Sequence, residues 1–469
     1  MEFARELRLT PHIIEKDYVL GWILAGIYQH AGFGKNWIFK GGTCLKKCFF
    51  ETYRFSEDLD FTLTDPDHLN ESFLNRSFGQ IVGWIYDQAG IEIPKDNLRF
   101  EIYQNPRGKL SAQGRISYRG PMRKGGDLPR IKLDLTNDEI LVLDPVLREI
   151  HHPYSDKPGE GFSTYCYSFE EVFAEKIRAL AERERPRDLY DVVQIFRHEE
   201  LKPDRAIVLE TLKQKCSFKG IPVPTIESLG KEPERTELGA EWGNMLGHQL
   251  PALPPLEQFW EALGEFFNWL LGLVGKIVKP SFPVPVSGID PSWRPPAMAQ
   301  AWQGSTSLET IRFAASNRLC VDLLYKGSQR LIEPYSLRRT RDGNFLIFAV
   351  KHESGEDRSY RVDRIEAAEV SQVSFSPRYL VELTPSGPLH TPYLTRPTTG
   401  YQKTGINPQR GHLRTSRTVS SFGPKYIFEC PLCRKRFTRI SNRSSLNKHK
   451  DKNGYPCPGR TGIYISTKY

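Results

Sequence analysis

No apolar run in this 469-residue sequence approaches the roughly 20 residues that a bilayer-spanning helix needs. The longest, Phe266–Val274, is short and is broken by Asn268. The opening residues, MEFARELRLTPHIIEKDYVL, carry charges throughout and lack both the apolar core and the small-residue cleavage site of a secretory signal. The expectation is a cytoplasmic protein with no membrane partner. Cysteine is sparse: of eight, five are scattered singly (Cys44, Cys48, Cys166, Cys216 and Cys320), which excludes a disulfide framework. No internal repeat of about 20–50 residues is present, so a solenoid or propeller is excluded. Acid is the scarcest feature of the C-terminal end. After Pro385, 16 lysines and arginines meet only Glu429 and Asp451, a net +14 within a chain of net +9, so the preceding residues sum to −5. An acidic body carries a basic tail.

Hydrophobic residues at 39%, charged residues at 26% and aromatics at 12% fit a folded protein whose length predicts two to four domains. Two stretches divide it: the proline-rich PSFPVPVSGIDPSWRPP beginning at Pro280, and a run of Pro, Gly, Ser, Thr and Arg from Thr384 to Gly423. The expected organisation is an ordered unit over 1–278, a linker over 279–299, a second unit over 300–384, a basic linker over 385–423 and a short third unit over 424–469. The fold class expected is α+β.

In the first unit, Trp37-Ile38-Phe39-Lys40 has the composition of a short buried strand and runs into Gly41-Gly42-Thr43 before a helical stretch from Cys44 to Phe50. Paired glycines let backbone approach a phosphate chain closely, and helix-start amides with the Thr43 hydroxyl favour its charge. Most glycine pairs are simply turns. Asp58-Leu59-Asp60-Phe61-Thr62-Leu63 alternates with period two, so Asp58 and Asp60 share a face, while the division of Leu59, Phe61 and Leu63 between the faces is left open. Adjacent carboxylates repel and call for a cation, although a bare Asp-X-Asp is also what an exposed acidic edge strand looks like. Ile131–Leu135 alternates too. If that strand lies beside the first, Asp134 completes a three-carboxylate cluster suited to two magnesium ions. Ser168 caps a helix with an acidic first turn, on which Lys176 and Arg183 share a face, and Arg187 and Asp191 lie one turn apart on the next helix. By themselves these charges also fit a solvated surface.

The motifs in order, Lys40-Gly41-Gly42-Thr43, Arg54-Phe55-Ser56-Glu57-Asp58-Leu59-Asp60, Asp134, Lys176 through Arg183 and Arg187-Asp188-Leu189-Tyr190-Asp191, with Glu15-Lys16-Asp17-Tyr18 at the start, resemble the AbiEii/AbiGii nucleotidyltransferase toxins over about residues 1–275. The resemblance implies a polymerase-beta-like minimal nucleotidyltransferase fold and a magnesium-dependent toxin of a prokaryotic toxin–antitoxin or phage-defence system. It implies nucleotide binding at Gly41, Gly42, Thr43, Lys176 and Arg183, magnesium at Asp58, Asp60 and Asp134, and a catalytic set of those three aspartates with Lys176 and Asp191. Expected partners are an NTP, an RNA or protein acceptor and a cognate antitoxin. The rival reading is a transferase fold that has lost activity and serves as a nucleic-acid-binding sensor. The full set of carboxylates and Lys176 favours activity.

Over 300–384, short alternating segments with turns at Lys326-Gly327-Ser328 and Asp342-Gly343 indicate a small β-barrel. Pro334-Tyr335, Phe345-Leu346 and the arginines 358, 361 and 364 resemble a WYL domain, which implies an SH3-like barrel with a sensing or regulatory role. Asn344-Phe345-Leu346 stands where that family's signature triplet falls. Finally, Cys430-X2-Cys433-X15-His449-X7-Cys457, with Phe437 and Leu446 at core spacings, predicts a structural zinc site. The surrounding lysines and arginines predict nucleic-acid contact, mostly to phosphates.

Overall fold

The computed structural model describes residues 10–50, 54–123, 126–157, 161–198, 203–273, 279–285, 287–291, 306–383, 425–439, 446, 449–450, 456–457 and 461–468. The chain falls into two compact units, Met1–Arg396 and Pro397–Tyr469. The basic linker 385–423 lies outside the described residues. Helices and mixed sheets alternate irregularly, an α+β architecture. Among the described residues no helix is long and apolar enough to cross a membrane.

A seven-stranded sheet organises the first unit. Its strands are β1 (Trp37–Lys40), β2 (Asp58–Leu63), β3 (Leu98–Gln104), β4 (Leu110–Ser117), β5 (Arg130–Thr136), β6 (Val146–Glu149) and β7 (Ser163–Cys166), in the spatial order β3-β4-β5-β2-β1-β7-β6. The pairs β2–β5 and β1–β7 are parallel and the rest antiparallel. Leu59, Phe61 and Leu63 all turn into the core, because side chains two apart on a strand cannot occupy different faces. The opposite face is left to Asp58 and Asp60.

Helices cover the sheet. Helix α1 (Pro11–Gln29) is apolar nearly all round because it is enclosed nearly all round, with Leu20, Trp22, Ile23 and Leu24 in the core. Helix α2 (Glu71–Ala89) starts where the Asn70 side chain accepts from the Phe73 amide at 3.0 Å and stops at Gly90, φ +67°. Helix α3 (Phe169–Arg183) is capped by Ser168, and α4 (Pro186–Arg197) follows with proline in its first turn, where no amide is needed. Helices α5 (Arg205–Lys219), α6 (Glu234–Leu246) and α7 (Leu256–Leu271) complete this half. The aromatic face of α7 is core: Phe259 stacks on Tyr190, and Phe266 meets Phe173 and Phe196.

Helix α8 (Thr306–Ser316) leads into a second sheet of β8 (Leu319–Tyr325), β9 (Ser328–Arg339), β10 (Phe345–Lys351), β11 (Asp357–Arg361) and β12 (Ile365–Ser374), ordered β11-β10-β9-β8-β12. The three arginines do not share a strand. Residues Val362–Arg364 form a turn after β11, leaving Arg358 paired to Glu356 and Arg361 to Asp363, each at 2.7 Å near the surface. This sheet is joined to the first half by polar contacts: Asn317 Oδ1 accepts from Tyr190 Oη at 3.0 Å and from Gln194 Nε2 at 2.9 Å. The start of the proline-rich stretch, 279–285, is docked as well. Phe282 is buried against Tyr335, Phe348 and Tyr379, and the Pro280 carbonyl accepts from the Leu380 amide at 2.8 Å.

The second unit contains the three-stranded sheet β14-β13-β17, from β13 (Lys425–Glu429), β14 (Arg436–Arg439) and β17 (Ile463–Lys468), and a two-stranded pair, β15 (His449–Lys450) with β16 (Pro456–Cys457). Its apolar centre is small, with Phe428 and Leu446 packed on Cys430 and Cys457.

The docking of the proline-rich stretch is measurable. Phe282→Ala is expected to destabilise the Met1–Arg396 unit by about 3–5 kcal/mol, the usual cost of emptying a buried phenylalanine site. Urea unfolding of the two proteins reports it, and a change within experimental error would mean that Phe282 behaves as part of a free tether.

Candidate active site and metal centre

The site forms where β1 ends. Gly41 has φ +84°, and a Cβ there would lie 2.3 Å from Asp60 Oδ2; a Cβ on Gly42 would lie 2.5 Å from Arg54 Nη2. Both positions therefore exclude side chains, for reasons that come from the neighbouring charges as much as from the turn. The helical turn Gly41–Cys44 follows, and within it Thr43 is buried, its hydroxyl donating to the Asp58 carbonyl at 2.5 Å. That hydroxyl holds β2 against the glycine turn, and the amides of the turn remain the groups suited to phosphate.

Sheet register brings the carboxylates together: Asp60 lies opposite Asp134 on β5 and opposite Lys40 on β1, while Asp58 lies opposite Lys132. Lys132 Nζ pairs with Asp134 Oδ2 at 2.7 Å, and Gln113 Nε2 is 3.4 Å from Asp134 Oδ1. Burial, then the charge of Asp134, pushes the Asp60 carboxyl up to about 6 against the pull of Lys40; burial also raises Asp58. Carboxylates raised in this way are held as anions at a cost that a bound cation would relieve. The donors are hard oxygens, the chemistry magnesium takes, although the three aspartates do not converge as closely as the cysteine centre described below.

Behind the carboxylates lies a buried ionic knot. Asp191 accepts from Arg54 Nε and Nη2, each at 2.7 Å, and sits 2.7 Å from Lys176 Nζ, which is also 3.3 Å from Asp188 Oδ1. Arg54 Nη1 reaches Gln249 Oε1 at 3.0 Å, and Arg183 Nε, on a half-exposed side chain, pairs with Asp188 Oδ2 at 2.7 Å. Burial would raise the Asp191 carboxyl, but Arg54 and then Lys176 hold it well below the usual carboxylate range. Burial would lower the Lys176 ammonium, yet Asp191 and Asp188 raise it. Both groups are thus fixed in their charged forms.

Alternation puts Lys132 on the face of Asp134, and Arg54 and Asp188 stand inside their motifs, but sequence reasoning assigned none of the three a task, and it missed Gln249. Asp188 had a signal, since it lies three residues before Asp191 on a helix. Gln249 had none. The opening Glu15-Lys16-Asp17-Tyr18 resolves into four attachments: Glu15 Oε1 accepts from the Met122 amide, Lys16 pairs with Glu57 beside Asp58, Asp17 pairs with Lys47, and Tyr18 donates to Asp156.

In the C-terminal unit the ligand atoms of Cys430, Cys433, His449 and Cys457 lie within 4.8 Å of one another. Cys430 and Cys457 sulfurs are 3.8 Å apart and Cys433 Sγ is 3.3 Å from His449 Nε2. A tetrahedral ion with bonds of roughly 2.3 Å to sulfur and 2.0 Å to nitrogen has edges of about 3.8 and 3.5 Å, so the set fits. The Cys433 and Leu432 amides pull the Cys430 thiol down to about 6, into thiolate form at neutral pH. His449 comes from the β15–β16 pair, opposite Cys457. Arg434, Lys435 and Arg436 are exposed nearby, and Arg443, Lys448 and Lys452 lie outside the described residues. Three of the cysteines read as scattered, Cys44, Cys48 and Cys166, also meet, fully buried in the core behind the glycine turn.

With this geometry in hand, comparison finds a match over residues 22–265, just over half the chain, to a family described as the nucleotidyl transferase AbiEii toxin of type IV toxin–antitoxin systems, and a WYL domain over 306–370. Among solved structures, the nucleotidyltransferase toxin MenT4 of Mycobacterium tuberculosis H37Rv is similar at 19% identity and TM-score 0.38, covering 58% of this chain and 89% of that one. JHP933 of Helicobacter pylori is similar at 17% identity and TM-score 0.35, covering 56% and 94%. No curated protein matches.

Two outcomes follow from the geometry. The Asp60 carboxyl lies at about 6 in the folded chain against an ordinary 3.8, so the folded state binds that proton more tightly and its stabilising contribution is lost as pH rises from 3.8 through 6. Asp60→Asn should therefore be the more stable protein at neutral pH in the presence of a chelator, by about 1–3 kcal/mol, with the gap closing in acid. Denaturation curves at neutral and acidic pH check this; a gap that does not depend on pH would contradict it. In the tail, Cys433→Ser should lose one equivalent of bound metal and unfold residues 425–468 without affecting the first unit, because so small a core needs its ion. Elemental analysis together with hydrogen exchange reads both, and a metal content unchanged by the substitution would remove Cys433 from the centre.

Proposed function

The chain belongs to the AbiEii family of nucleotidyl transferase toxins, and from that premise we propose that it moves an NMP unit from an NTP to an acceptor hydroxyl, with pyrophosphate released. The acceptor oxygen attacks the α-phosphorus in line; one oxygen–phosphorus bond forms and the bond to the β-phosphate oxygen breaks. Asp58, Asp60 and Asp134 would hold magnesium, which supplies charge neutralisation at the phosphoryl oxygens when bound. The observation that carries the proposal is the register of β1, β2 and β5, which sets Asp60 between Lys40 and Asp134 directly under the Gly41 turn.

Around that centre the chain's own groups divide the work. Gly41, Gly42 and Thr43 offer backbone amides to the phosphate chain. Lys176, buried and charged, attracts the triphosphate, and Arg183, half-exposed on the same helix, extends that attraction towards solvent. Asp191 acts through its neighbours by fixing Lys176 and Arg54. Zinc is the ion proposed for Cys430, Cys433, His449 and Cys457, since three thiolates and an imidazole at tetrahedral spacing are its usual structural set. The exposed basic groups beside it support contact with nucleic-acid phosphates and, with them, an RNA acceptor such as a tRNA 3′ end over a protein. A cognate antitoxin is the expected regulator.

Purified protein incubated with magnesium, each α-labelled NTP in turn and total cellular RNA or lysate is expected to label one class of macromolecule and to release an equal amount of pyrophosphate. Asp60→Asn should do neither. Labelling by no NTP, or equal labelling by the variant, would refute the transferase assignment.

A further inference from the structure

Six cations lie around the three aspartates with their charges already answered. Lys16 pairs with Glu57 and Lys132 with Asp134, each at 2.7 Å, and Lys40 faces Glu139 at 3.8 Å. Lys176, Arg54 and Arg183 belong to the knot around Asp188 and Asp191. Arg187 is different. It follows Pro186 at the start of α4, one helical turn before Asp191, and its Nε is sealed from solvent with no hydrogen-bond partner. Its guanidinium makes no ion pair among the described residues. The charges acting on it are Arg54, Asp58, Glu57 and Asp191.

Each of those neighbours is unsuited to be its partner. Arg54 repels it. Asp191 gives both oxygens to Arg54 and Lys176, and Glu57 gives both to Lys16 and His248. Asp58 is one of the carboxylates proposed for magnesium, so its charge is committed to the ion when the site is loaded. Burial and the Arg54 charge both work against the Arg187 guanidinium, and arginine does not escape by losing its proton. A half-buried cation held at net cost beside a phosphate-transfer centre is accounted for by an anion that arrives with the substrate.

We infer that Arg187 is a substrate-binding residue that takes a phosphate oxygen of the incoming nucleotide on the Asp58 side of the site. This rests on the transferase assignment and adds to it a further, independent hold on the phosphate chain. The planar guanidinium presents two parallel donors to a phosphate, where a lysine presents a point charge, so the substitution to lysine should be only a partial rescue.

The test uses the full chain with magnesium and an α,β-methylene NTP, which binds but cannot release pyrophosphate. Arg187→Ala should weaken binding about ten- to a hundred-fold, Arg187→Lys by less, and neither should lower resistance to urea, since removing the charge relieves its repulsion with Arg54. A merely structural role would move stability and leave analogue affinity alone, which overturns the inference. A variant with wild-type analogue affinity but a raised KM for the acceptor overturns it too, by moving Arg187 to the acceptor's phosphates. If the wild type itself neither binds the analogue nor transfers a label, the transferase assignment falls and takes this one with it; if the wild type binds and Arg187→Ala binds equally, only the Arg187 inference falls.

Discussion

The whole candidate site hangs on one carboxylate, that of Asp191. Its two oxygens hold Arg54, which precedes β2, and Lys176, which comes from α3, so three segments far apart in sequence are fixed relative to one another by a single buried group. Such an arrangement is costly to desolvate and more costly to break, since removing one member leaves the others charged and unpaired in the interior, at about 3–5 kcal/mol. Arg54 in turn fills the space that Gly42 leaves, and Asp60 fills the space beside Gly41. The glycine turn, the acidic strand and the basic helix are therefore one object. Displacing any of the three moves the other two.

The same logic explains the imbalance of charge across the site. On the Asp191 side, cations and carboxylates are matched and locked. On the Asp58, Asp60 and Asp134 side, burial and mutual repulsion leave an excess of negative charge that Lys40 and Lys132 offset only in part. The site is thus balanced on one side and unbalanced on the other, the imbalance that the magnesium proposed above would answer.

Local patterns carried much of this. Strict alternation marked β2 and β5, the serine cap and the proline marked α3 and α4, and the spacing of cysteines marked the cluster of Cys430, Cys433, His449 and Cys457, because each is dictated by short-range geometry. What alternation could not supply was register: that Asp134 faces Asp60, and that Lys132 faces Asp58, depends on how β5 lies against β2. Gln249 reaches Arg54 across almost 200 residues of sequence, and nothing near it announces that contact. The meeting of Cys44, Cys48 and Cys166 was equally hidden, since it needs the β1–β7 pairing to bring Cys166 beside Phe39. Proline content marks 279–299 as a linker, and composition gives no sign that Phe282 within it finds a pocket.

Helix α4 serves two neighbours at once. Asp191 pairs with Arg54 and Lys176 in the knot, while Tyr190 and Gln194 are bonded to Asn317 of the WYL segment. The boundary that separates two families in the gene is thus bridged in the folded chain by hydrogen bonds from adjacent residues. A recombination event that joined or split the coding sequence at that boundary would have to supply or replace partners for a buried hydroxyl and a buried amide on the very helix that holds the knot. The two halves are separable as text and continuous as material.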